Sequence, residues 1–135
     1  TTSVSDADLA TIEQAHLQIV RRARSGQIDD ALLTDATMVD WGLHDLMIDA
    51  SRNELISDVY RINSLRVRLI KLEGTTLLPD VLLPAMEEHL WFLDAIKQRD
   101  PTEAARRLTH HIESAHRCVL GLPRPELPWS LENLK

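Results

Sequence analysis

Asp40 and His44 stand four residues apart in a stretch whose other inward positions, Leu32, Leu33, Ala36, Leu43 and Met47, are apolar. Four residues is close to one helical turn, so carboxylate and imidazole lie one above the other on the same face. His89 falls in a similar way among Ala85, Met86, Leu93 and Ile96, and His111 among Ala104, Leu108, Ala115 and Cys118. Burying such groups unpartnered costs about 1 to 3 kcal/mol each, and more for an ionised carboxylate. A shared divalent cation satisfies all four at once. Nitrogen from His and oxygen from Asp suit zinc, with nickel, cobalt or manganese also accommodated.

The residues alone leave blander readings open. A single histidine on an apolar face is commonly a satisfied core residue, and an Asp–His hydrogen bond along one helix has the same spacing. His16, on the apolar face of Leu9, Ile12, Ile19 and Ala23, competes as a ligand or as a partner of one. His110 shares a face with Glu103, Arg107 and Ser114 and is read as exposed; His116 is intermediate.

The elements that must carry these groups are helices, because apolar positions recur at three and four and only four glycines interrupt them. The pattern predicts an all-α, antiparallel bundle of about five to six helices. The first follows a Ser5-x-x-Asp8 capping box and stops at Ser25-Gly26, and the second runs from Asp29 or Asp30 to about Ala50. Asn53 caps a third, from Glu54 to about Leu72, ended by Gly74. A connection containing Thr75, Thr76 and Pro79 leads to a fourth helix with Pro84 in its first turn and an end near Arg99. Asp100-Pro101-Thr102-Glu103 starts a fifth, ending by Gly121. Residues 1–121 form the domain on this reading, and 122–135, with three prolines, an irregular tail in which Trp129 packs back.

Composition narrows the class. A formal charge of −6 over 135 residues argues against phosphate-backbone binding by the chain itself, and the basic groups Arg21/Arg22/Arg24 and Arg61/Arg66/Arg68 read as solvated helix faces beside acids. No stretch approaches a bilayer span, and the polar start lacks a signal pattern. The one cysteine, Cys118, allows no intrachain disulfide, and a cytoplasmic setting is expected.

At these residues the chain resembles the FCD domain, the effector-binding and oligomerisation domain of FadR-type GntR transcription regulators, over about Asp6 to Val119. Asp40-Trp-Gly-Leu-His44 is similar to the family's D-x-x-F-H, with Leu43 in place of Phe, and Ala50-Ser-Arg-Asn53 to its small-residue run leading to Asn. Glu88-His89 with Leu93 to Ile96 resembles E-H-x-x-[IL]-x-x-A-[IL], and Asp100, Ala104-Ala105 and His111-Ile112 resemble G-D-x-x-x-A-x-x-x-[ML]-x-x-H-[LI]. The histidine intervals, 45 and then 22 residues, are family-like.

The resemblance implies that Asp40, His44, His89 and His111 hold a divalent metal, zinc being the first expectation, and that a small carboxylate effector takes an open coordination position. It also implies a homodimer, and DNA contact through a winged-helix domain that has no counterpart in these 135 residues, nor has the family's first effector-domain helix. A fragment is therefore expected. Arg66 or Arg68 would supply a second contact to the effector, with Asn63, Tyr60 and Thr109 as weaker pocket-lining candidates. Two rivals remain: a metal-dependent hydrolase or lyase, and a purely structural metal stapling a dimer. The enzyme needs a general base that is not a ligand. Glu88 is nearest but lies about 100° around the helix from His89.

Overall fold

The computed structural model describes residues 4–72 and 79–133, with the side chains at positions 68, 70–72 and 133 left aside. Five α-helices follow one another: α1 (Asp6–Ser25), α2 (Asp30–Ala50), α3 (Glu54–Leu72), α4 (Pro79–Lys97) and α5 (Pro101–Val119), then a 3-10 turn at Leu131–Asn133. There is no strand among the described residues, so the fold is all-α. The chain divides into two compact units, Thr1–Leu82 and Leu83–Lys135.

Local signals set most helix starts. Ser5 Oγ accepts the Asp8 amide at 3.1 Å and donates to the Asp8 carboxylate, Asp29 Oδ1 accepts the Leu32 amide at 2.8 Å, and Asn53 Oδ1 accepts the Ile56 amide at 3.2 Å. Asp100 caps α5 by accepting the Glu103 amide, with Pro101 following it. Each bond satisfies one amide that the first helical turn leaves without a carbonyl.

Two boundaries differ from the sequence reading. α4 begins at Pro79, so Pro84 lies in its second turn and not its first. Position 84 therefore cannot donate to the Asp80 carbonyl, which sits at the exposed helix start where water can serve it. α4 also ends at Lys97, two residues before Arg99, because Arg99 takes φ 57° and the chain closes with Asp100 N–H on Ala95 O and Arg99 N–H on Ile96 O. That pattern usually uses glycine. α5 closes in the same way with a glycine, Gly121 at φ 68°, Leu122 N–H meeting Arg117 O. Gly74, Thr75 and Thr76, read as stop and connection, lie outside the described residues.

In the first unit α1 and α2 form an antiparallel hairpin over a four-residue connection, the Arg22–Asp35 ion pair near its closed end and Gly42 facing Ile12 further along. A Cβ on Gly42 would stand 3.8 Å from Ile12 Cδ1, an ordinary contact distance between the two helices. Leu9, Ile19, Val20, Leu32, Ala36 and Leu43 are buried. α3 returns along α2 with Tyr60 Oη donating to Asp45 at 3.0 Å. One face of α3, Leu55, Val59, Ile62, Leu65 and Leu69, is exposed although apolar.

In the second unit α5 runs antiparallel to α4, which is buried almost all round: Ala85, Met86, Leu90, Trp91, Phe92, Leu93 and Ala95 are all inside. Arg107 of α5 fastens the pair, donating to Trp91 O at 2.6 Å, Asp94 Oδ2 at 2.9 Å and Glu103 Oε1 at 2.8 Å, and Arg106 and Arg107 both lie over the Trp91 ring. The α5 face assigned to solvent from the sequence thus turns partly inward. Ser114 is fully buried and His110 half-buried, edge-on to Trp91, while Ala115 is exposed. Arginine and serine can face a helix when backbone carbonyls and carboxylates receive them, which periodicity does not register.

Hydrogen bonds from Arg106 and Arg107 hold the Glu103 carboxyl down at about 2, against an ordinary 4.5. A carboxyl lowered on folding stabilises fully above its unfolded value and loses that contribution as pH falls through the folded one. The stability difference between the wild type and Glu103→Gln in urea titrations should therefore be steady above pH 4.5 and shrink between 4.5 and about 2. Added salt should reduce it, since the cluster lies at the surface.

Candidate metal centre

His89 and His111 meet inside the second unit. Their Nε2 atoms are 3.2 Å apart and the rings stand edge to face, centroids 4.5 Å apart. Both residues are buried. The spacing suits two ligands of one cation, because nitrogens bound at about 2.0 to 2.1 Å at a tetrahedral angle are roughly 3.3 Å apart.

The other side of His111 decides how its ring presents itself. Nδ1 lies 2.9 Å from Glu88 Oε2, Ser114 Oγ donates to Glu88 Oε1 at 2.6 Å, and Arg124 Nη2 donates to Oε2 at 2.9 Å. Burial by itself would push the Glu88 carboxyl up, but the hydrogen bonds from His111 and Ser114 and the Arg124 charge bring it below the usual carboxylate range. Glu88 is therefore an ionised acceptor, and His111 donates to it through Nδ1–H. In the neutral ring this leaves the lone pair on Nε2, toward His89. Successive α4 residues, about 100° apart around the axis, thus address opposite nitrogens of one imidazole.

Asp40 and His44 form a second pair within the first unit, with Oδ1 and Nε2 3.9 Å apart. Asp40 is buried and His44 half-buried. The separation is wider than the roughly 3.3 Å of a tetrahedral pair and short of the roughly 4.2 Å at which two ligands would stand on opposite sides of one ion. His16, completely buried on α1, donates from Nδ1 to Ile12 O at 2.7 Å. A carbonyl can only accept, so this bond fixes the tautomer as it does in ordinary core histidines.

Asn63, Arg66 and Thr109 are exposed, and Thr109 Oγ1 donates to the α5 backbone at Ala105 O. Tyr60 lines a surface cleft between α2 and α3 with Asp45, Asp49, Ser57, Arg61 and Ser64. The side chain of Arg68 lies outside the described residues.

Glu88, Ser114 and Arg124 escaped the sequence reading as members of the site. A signal for Glu88 existed: α4 carries apolar residues on all sides, so every middle position is inside and a carboxylate there must be partnered. Nothing local marks Arg124, which lies 36 residues from Glu88 along the chain.

Among models of known families, that of the FCD domain matches residues 1–114. The chain belongs to the FCD family. No curated protein and no solved structure matches it. FCD domains are regulatory domains that bind effectors, and in this one Glu88, the carboxylate weighed as a general base, has both oxygens engaged by His111, Ser114 and Arg124. No described helix of this FCD domain is long and apolar enough to cross a membrane.

Proposed function

We propose that this FCD domain senses a small organic acid through a divalent cation, zinc first, held by Asp40, His44, His89 and His111. What carries the reading is the buried, face-to-edge His89–His111 pair with its Nε2 atoms 3.2 Å apart. The Asp40–His44 pair and the order of all four groups along the chain support it. A divalent ion held by four protein groups accepts one or two further ligands, and a carboxylate can displace water there. Arg66 and Arg68 are the candidates for a second, charge-assisted contact.

The same reading makes the domain the regulatory half of a GntR-type, cytoplasmic transcription regulator whose winged-helix domain contacts DNA. An effector acts by favouring the arrangement of the homodimer that binds it more tightly, and gains only that difference in affinity. The test is calorimetric titration of the zinc-loaded domain with a panel of small mono-, di- and tricarboxylates, repeated on protein stripped by a chelator. Binding of at least one acid with zinc, and a loss of ten-fold or more without it, is expected. If every acid behaves alike with and without metal, the sensor mechanism is wrong. A large fall in melting temperature on chelation with no acid binding favours a structural staple instead.

A further inference from the structure

The segment after α5 bears on the metal centre. Leu122 N–H bonds to Arg117 O at 2.9 Å, Arg117 Nε donates to Pro123 O at 2.7 Å, and His110 Nε2 lies 3.3 Å from Glu126 O, which can only accept. These contacts fold residues 122–126 back along α5, beyond the last residue of the FCD match, and bring Arg124 onto Glu88. The Glu88 side chain is 2% exposed and that of Arg124 is 18%. Glu88 Oε2 receives both Arg124 and His111 at 2.9 Å, so one oxygen links the tail cation to the imidazole.

Such a link has a definite consequence for a metal ligand. A carboxylate that accepts from one ring nitrogen fixes the tautomer, holds the ring plane and makes the other nitrogen a better donor to the metal. Ser114 on Oε1 and Arg124 on Oε2 hold the carboxylate from two sides, so it cannot rotate without breaking a buried bond.

We propose that Glu88 and Arg124 are positioning residues for a divalent cation at His111, and that the tail at residues 122–126 is the clasp that sets them. The inference rests on the metal reading above. It adds a part of the centre that lies outside the FCD match and is supplied by the chain's own C-terminal segment.

Zinc affinity is measured by competition with a chromophoric chelator for the wild type, Glu88→Gln, Arg124→Met and Arg124→Lys, with the His111 15N shifts recorded in the metal-free state. The wild type should carry its His111 proton on Nδ1. Glu88→Gln should weaken zinc by about 10- to 100-fold, the range for loss of a partner of a ligating histidine. Arg124→Met should weaken it by a smaller factor and Arg124→Lys should restore most of that. Arg124 is partly exposed, so its variants serve if Glu88→Gln does not fold. Zinc binding by the wild type with unchanged affinity in the variants overturns the clasp while leaving the metal reading intact. A wild-type His111 protonated on Nε2 also overturns it. No zinc binding by the wild type overturns both.

Discussion

Alanine at His89 is expected to abolish the thermal stabilisation that the proposed zinc site would give the protein. A ligand at one hundred times its dissociation constant adds about 2.7 kcal/mol to a folded state that alone binds it. For a domain of this size that is a rise in melting temperature of about 10 °C. His89→Ala removes one of the two facing Nε2 atoms, and His111 is left without its closest neighbour on that side. Scanning calorimetry with and without zinc should show the full rise in the wild type and none, or nearly none, in His89→Ala. His116→Ala is the control, since His116 is exposed on α5 and lies outside both pairs. Equal zinc-dependent rises in the wild type and His89→Ala would remove His89 from the site, and an equal loss in His116→Ala would mean that zinc binds surface imidazoles.

The second large effect concerns α3. Leu55 and Leu65 are 73% and 62% exposed, and Val59, Ile62 and Leu69 complete the same face. Residues at steps of three and four form one continuous stripe on a helix. Five large aliphatic side chains on one arc, with the charged Asp58 and Arg66 among them, exceed the scattered apolar residues of an ordinary surface, and an interface is the usual reason. A second copy of the same chain offers an identical stripe, which a two-fold axis can match to itself. Charge complementarity is not needed for such a contact. The homodimer is therefore proposed to close over α3, with Ile62 near the middle of the stripe.

Aspartate at Ile62 would place a carboxylate from each copy near the middle of that contact, where only Arg66, one turn on, can pair with it, and taking such a charge out of water costs several kcal/mol. Sedimentation velocity should show a dimer for the wild type and a monomer for Ile62→Asp, with the dissociation constant raised by at least about 100-fold, or roughly 2.7 kcal/mol. Helical content should be unchanged, because Ile62 is already 57% exposed in the single chain. A monomeric wild type, or a variant that dimerises equally well, would show that the stripe is not the self-association surface.

Much of the fold was legible because the signals are local. The oxygens of Ser5, Asp29, Asn53 and Asp100 each accept an amide within three residues, so the sequence nearby suffices to place those helix starts. The boundaries of α4 were harder. A proline is compatible with the first turn of a helix at either position 79 or 84, and a non-glycine residue at positive φ, Arg99, leaves no composition signal at the other end.

For the candidate site the division is similar. Helical period and the cost of burying polar groups mark Asp40, His44, His89 and His111 from residue types alone, and burial of Asp40, His89 and His111 agrees with that marking. The same reasoning misread α5, placing Ala115 inside and Ser114 outside, because it ranks side chains by polarity and cannot see a buried carboxylate waiting to receive a hydroxyl.

The sequence by itself thus determined the helical class, the helix starts at Ser5, Asp29, Asn53 and Asp100, and the inward placing of Asp40, His89 and His111, since these follow from neighbours within about one turn. Only the tertiary structure decided which nitrogen of His111 faces His89, and that the other meets Glu88, itself held by Arg124. That choice depends on a chain segment returning 36 residues later to a buried carboxylate, a contact no local pattern encodes.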